Sequence, residues 1–180
     1  MFKPARIFTA VLMLLVLTAL PALAAEEDDR YFPLSKASKD TFSTYYLDLK
    51  TLYHMPADVN FDFAKNSAQI YKDKGYIQAW VKVEYEKSGA REVVESLRTQ
   101  EKNVAGYDKL AFSLQQLRVR PATREVVLIV QTDYDKNGKL LGRNAYSKDR
   151  WVSFDVDARI KEICEGLINA QKAMYDIEGR

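Results

Sequence analysis

The sequence predicts an α+β domain, an antiparallel β-sheet of about five to seven strands with one C-terminal α-helix packed across one face. Three observations predict it. Segments 43–52, 76–85 and 107–120 alternate apolar and polar residues with the two-residue period of half-buried strands. From Asp155 the period becomes helical, with Val156, Ile160, Ile163, Cys164, Leu167 and Met174 on one stripe. The two patterns are segregated, strands first and helix last, so laying the helix across the sheet buries both apolar surfaces.

The chain opens with the features of a signal peptide, residues 1–25, followed by a single domain, residues 26–180. Lys3 and Arg6 form a basic start, Ile7–Leu20 is an uncharged run of 14 residues, and Ala22-Leu23-Ala24 is a small-residue cleavage signal. A membrane span wants about 20 apolar residues, so cleavage is expected in preference to an uncleaved anchor. The expected location is periplasmic, ahead of secretion or surface display, with no membrane span after cleavage. No cysteine follows the run to carry a lipid. Of the 27 basic and 25 acidic residues, Lys3 and Arg6 are the only charges in the leader, so the remainder is close to neutral. That lacks the basic bias of a nucleic-acid binder.

Pro33 makes residues 31–38 an edge strand, because it cannot donate to a ladder. In 43–52, Tyr45, Leu47 and Leu49 share a face. Residues 53–66 show no period and read as a surface excursion. Residues 67–89 read as a hairpin turning at Lys72–Gly75. Its second arm puts Ile77, Ala79, Val81, Val83 and Tyr85 on one face and Tyr76, Gln78, Trp80, Lys82 and Glu84 on the other. Val93, Val94 and Leu97 suggest a short helix over 90–103. The strand 107–120 alternates through Leu110, Phe112 and Leu114, then changes phase to Leu117 and Val119, which predicts a β-bulge near Gln115. The unbroken run Val126–Val130 marks a central strand, with 139–147 as its hairpin partner. Asp155 is the expected N-cap of the last helix, and Gly166 is expected to permit a close approach.

Between those last two strands, Asp133, Asp135, Asn137 and Gly138 have the D-x-D-x-N-G spacing that opens a calcium loop. Position 12 of such a loop would be Asn144, which has no carboxylate. Asn137-Gly138 between strands is instead the signal of a type I′ hairpin turn. These residues remain weak metal candidates only, and no cofactor is expected.

Several landmarks recur in a recognisable order: "TYYLDLKTL", "AWVKVEY", "YDKLAFSLQQLRV", "VVLIVQTDYDKNGKLLG", the late Trp151, and a terminal helix carrying Cys164. Together they resemble the surface-adhesin protein E family of small exported bacterial proteins, over roughly residues 43–165 with an insertion at about 53–69. The resemblance implies an antiparallel sheet backed by one helix. It also implies a relationship to an outer-membrane adhesin of host matrix proteins. Relatives often carry a second cysteine in the strand "LAFSLQQL", near the place where Leu114 stands. Here Cys164 is the single cysteine, so no intramolecular disulfide forms. A buried small hydrophobe is the favoured reading of it, ahead of an intermolecular bridge or a reactive thiol.

No motif for nucleophilic, metal or nucleotide chemistry is found. His54, the only histidine, reads as a solvated loop residue, with copper binding alongside Met55 and Asp58 as the remote alternative. The expected function is a non-enzymatic exported binding module. Its helix-free sheet face would present Trp80, Tyr76 and Tyr46 as anchors and Arg118 and Arg120 as rim contacts, toward a protein partner or a second copy. The alternatives are a host-matrix adhesin, an unrecognised periplasmic enzyme, or a weak calcium binder.

Overall fold

The computed structural model describes residues 30–34 and 43–179. The expected signal peptide and most of the acidic leader lie outside the described residues. The chain divides into two compact units, residues 1–31 and 32–180. In the first, the Arg30 guanidinium stands 5.4 Å from the centre of the Tyr31 ring. The second carries the sheet and the helices.

The strands are β1 (Tyr31–Pro33), β2 (Ser43–Asp48), β3 (Tyr53–Met55), β4 (Tyr76–Tyr85), β5 (Leu110–Arg120), β6 (Glu125–Asp135), β7 (Leu140–Ala145) and β8 (Val152–Ser153). They form one antiparallel sheet in the order β1-β2-β4-β5-β6-β7, with β3 on β4 and β8 on β6. The class is α+β. Eight strands exceed the expected five to seven because β1, β3 and β8 are only two or three residues long, too short to show a period. β1 is an edge, as Pro33 requires, and the Leu34 N–H donates to Tyr45 O at 2.9 Å. β2 and β3 follow one another along the same edge of β4, interrupted by a 3₁₀ turn, Leu49–Thr51. In that gap the Thr51 hydroxyl accepts the Trp80 N–H at 2.9 Å, so the unpaired stretch of β4 is not left unsatisfied.

Two helices, α1 (Lys87–Thr99) and α2 (Ala158–Glu178), lie on the same sheet face. α2 buries Ile163, Cys164, Leu167 and Ile168 against Leu47, Ile77, Ala79, Val81, Leu117, Val119 and Val126. This is the predicted packing of apolar stripe on apolar sheet. α1 covers the far end of the same face, where Leu97, Val93 and Val94 meet Tyr85, Tyr107 and Leu110. α2 starts two residues later than Asp155 predicts. Asp157 is the N-cap and accepts from the N–H groups of Arg159 and Ile160 at 2.8 and 3.0 Å. Asp155 sits in a preceding 3₁₀ turn, Phe154–Val156, and Val156 is 77% exposed. Phe154 takes the buried place expected of Val156, at 0% exposure. Gly166 does mark a close approach: a Cβ there would stand 2.8 Å from Leu34 Cδ2.

Four expectations need correction. Residues 67–71 form a 3₁₀ helix rather than a strand, because Ser67 and Ile70, three apart, are both buried on one side. The 53–66 excursion is not all surface, since Phe63 is buried and the His54 side chain fully so. The register slip occurs where expected, between Gln116 and Leu117, but the extra residue there is Ile129 of β6; β5 itself carries a second irregularity at Ala111, between Leu110 and Phe112, and alternates only from Phe112 onward. The apparent phase change arises because Ser113 and Gln115 are polar residues at inward positions. Finally, the 135–139 loop is not type I′. Only Gly138 has positive φ (+76°), the Gly138 N–H donates to Asp135 O, and the Asp135 N–H donates to Lys139 O. That is a type I turn followed by a left-handed glycine, the three-residue hairpin.

Candidate functional site

The register sorts the inward face of the sheet into rows. Ile77, Val119 and Val126 form one, and Ala79, Leu117 and Leu128 the next. Then the chemistry changes. Leu47 and Val81 share a row with Gln115 and Gln131, and Tyr45 and Val83 share one with Ser113 and Asp133. α2 covers the apolar rows and α1 the end beyond the polar ones. Between the helices runs a groove whose floor passes from apolar to polar.

Asp133, fully buried, organises the polar end. Its carboxyl accepts the Tyr107 hydroxyl at 2.8 Å, Gln131 Nε2 at 2.9 Å, and the Ser113 hydroxyl. The Tyr85 hydroxyl donates to Ser113 Oγ at 3.0 Å. Burial, reinforced by Asp133, raises the Tyr107 and Tyr85 pKa values well above the usual phenol range, so both stay protonated donors. Gly142, opposite Asp133 on β7, makes room for this contact: a Cβ there would collide with the Tyr107 hydroxyl.

The groove has two chambers. The apolar one, about 390 Å³, is lined by Leu117, Val126, Leu128, Ile163, Cys164 and others. The polar one, about 200 Å³, lies under α1 and includes Gln131, Tyr85, Ser96 and Gln100. Tyr45, Gln115 and Tyr146 line both. Cys164 is buried in the apolar wall, and burial pushes its thiol up to about 12, far from a reactive thiolate.

The opposite sheet face carries the five residues expected to bind. No helix covers it among the described residues. Tyr46, Trp80 and Tyr76 are all half-buried there. The Arg118 guanidinium lies 4.7 Å from the Tyr76 ring centre, and its Nε donates to Gln78 Oε1 at 2.7 Å. Arg120 lies 3.8 Å over Trp151, and Lys82 5.2 Å from Phe112, which stacks on Tyr134 at 5.0 Å. Tyr53 and Met55 extend this face beside Gln78 and Tyr76. Trp80 stands between the Arg118–Tyr76 pair and the Lys82–Phe112 pair, in line with Gln116 and Val130. Arg118 and Arg120 are therefore partners of the aromatics as much as a rim around them.

The weak metal candidates do not converge. The Asp133 oxygens are engaged on the inward face. Asp135 Oδ1 accepts the N–H groups of Asn137 and Lys139 at 2.8 and 2.9 Å. These bonds hold the Asp135 pKa below the usual carboxylate range.

His54 is not solvated, contrary to expectation. Its Nε2 donates to Asp73 Oδ2 at 2.9 Å and its Nδ1 accepts the Tyr175 hydroxyl at 3.0 Å. Phe63 packs edge-on against the ring at 4.8 Å. Asp73 also accepts the N–H groups of Ala57 and Gly75, at 3.0 and 2.8 Å. The arrangement has the members of an acid–base relay, but the His54 side chain is 0% exposed. It pins the 53–75 segment to the end of α2. Burial lowers the His54 pKa from 6.5, against the opposing pull of Asp73. The unfolded chain therefore binds a proton more readily, and the knot's contribution is complete above about pH 6.5 and lost as pH falls toward the folded-state value. The unfolding free energy from urea melts should drop between pH 7.5 and 5 with a slope of up to about 1.4 kcal/mol per pH unit. His54→Gln should remove that slope. An unaltered pH dependence in the variant would contradict this role.

Among known proteins, no family model, curated protein or solved structure matches this chain.

Proposed function

We propose that this is a non-enzymatic, exported binding module that recognises a protein partner, or a second copy of itself, through its helix-free sheet face. The observation that carries the reading is the concentration of stacked aromatics and cations around Trp80 on that face. Aromatic and arginine side chains held in place by one another lose little entropy on binding, and such residues dominate interface energetics. The only histidine and the only cysteine are both buried, so neither supplies an accessible acid, base or nucleophile. The landmarks that resemble the surface-adhesin protein E family support an exported binding role. The expected periplasmic location follows from the leader.

The test is a Trp80→Ala variant, compared with the parent protein by light scattering and by capture of periplasmic proteins. A hot-spot residue is worth about 2 kcal/mol or more, so association should weaken about thirtyfold. Unchanged mass and unchanged capture, with an intact circular dichroism spectrum, would refute the assignment.

A further inference from the structure

We propose that the groove between α1 and α2 binds a free single-chain amphiphile with an anionic head, of the medium-chain carboxylate type. The proposal rests on the inward face and is independent of the function assigned to the outward one. Small-molecule sites are concave, mostly apolar, and carry a few convergent polar groups, over about 300–1,000 Å³. The apolar chamber, about 390 Å³, lies at the low end of that range and suits one acyl chain rather than two. It adjoins the polar chamber, sharing Tyr45, Gln115 and Tyr146 as a common wall. Neither hydroxyl has a hydrogen-bond partner among the described residues. A head group placed there meets donors that the protein itself does not use.

Charge decides the sign of the head. Arg150 borders the apolar chamber and Arg159 the polar one. Neither forms an ion pair among the described residues. Glu92, on α1, is the one carboxylate lining either chamber. Two guanidiniums and two phenol donors face the Glu92 carboxylate, while the buried Asp133 carboxylate beside the chamber is already held by the Tyr107, Ser113 and Gln131 donors; the balance favours an anion, and guanidinium suits a carboxylate in particular. The mouth adds apolar surface for the tail, since Val152 is 52% and Ile160 36% exposed. Amphipathic position and charge thus agree: the tail lies along Leu117, Leu128 and Ile163, and the head lies between Tyr146 and Arg159.

Calorimetric titration of the full protein with monomeric dodecanoate tests this. Saturable one-to-one binding is expected, with a rise in melting temperature. Dodecyltrimethylammonium, which has the same tail and the opposite head, should bind about tenfold more weakly. The double variant Arg150→Gln/Arg159→Gln should lose about tenfold or more in dodecanoate affinity. Leu128→Trp, which fills the apolar chamber, should abolish binding. Should that variant misfold, the arginine pair still decides, because Arg150 and Arg159 take no part in the core. Trp80→Ala should bind dodecanoate as the parent does, which separates this site from the outward face. The proposal is overturned if dodecanoate does not bind, if the cationic amphiphile binds equally well, or if the arginine double variant matches the parent. It is also overturned if the protein pellets with phosphatidylglycerol vesicles while ignoring free dodecanoate, which would make the surface a membrane contact.

Discussion

Replacing Asp133 with Ala is expected to cost about 4 kcal/mol of folding stability. The side chain is fully buried and accepts three hydrogen bonds, from Tyr107, Ser113 and Gln131. Removing the acceptor leaves three donors without a partner, each costing about 1–3 kcal/mol when buried, with some relief as side chains reorient. The loss does not stay local. Tyr85 depends on Ser113 as its acceptor, and Tyr107 holds the second core beneath α1 together with Leu97 and Leu110. Loosening of α1 and a lower urea midpoint should therefore appear together. Asp133→Asn keeps the shape and one acceptor and should fall between the two. A loss for Asp133→Ala below about 1 kcal/mol would show that the network is not the organiser of this end of the sheet.

Phe154→Ala is expected to destabilise by about 3–5 kcal/mol through the cavity it leaves. Phe154 is at 0% exposure, first among the large fully buried side chains, and packs where β6, β8 and α2 meet. Its N–H donates to Arg124 O at 3.0 Å, and the Arg124 guanidinium stands 4.7 Å from the ring centre. Arg124 also bonds Asp155 at 2.6 and 2.7 Å and Glu165 at 3.0 Å. Those carboxylates are about two-fifths exposed, so screening leaves the ion pairs a small share. Equilibrium unfolding should rank Phe154→Ala well above Arg124→Gly, which removes the charge yet relieves the positive φ of 55° at that position. The reverse ranking would place the stability in the ion network and not in the buried ring.

The inward polar site was hidden from sequence because it breaks the rule by which strands are read. Alternation assigns apolar residues to the core, so Phe112 and Leu114 stand out and Ser113 and Gln115 do not. In the fold the assignment reverses: the polar pair faces the helices, beside Gln131 and Asp133. The signal was present as a change of phase in β5, and it reads equally as a bulge. The register in fact carries a bulge at the same level, in β6. His54 misleads for a similar reason. Its segment has no period, and only Asp73 and Tyr175, 19 and 121 residues away, explain its burial.

What the sequence determined alone is whatever depends on neighbours along the chain. The two-residue and 3.6-residue periods established the strands, the terminal helix and the α+β class, and Pro33 and Gly166 marked an edge and a close approach. The division of residues between the two faces of β4 was legible for the same reason, and with it the row of Trp80 and Tyr76. What the tertiary structure decided depends on pairing across distant strands. Register placed Asp133 against Ser113 and Gln115 against Gln131, and both helices settled on one face. Periodicity specifies which side of an element is apolar. It carries no information on which polar residues will meet beneath a helix once those sides are joined.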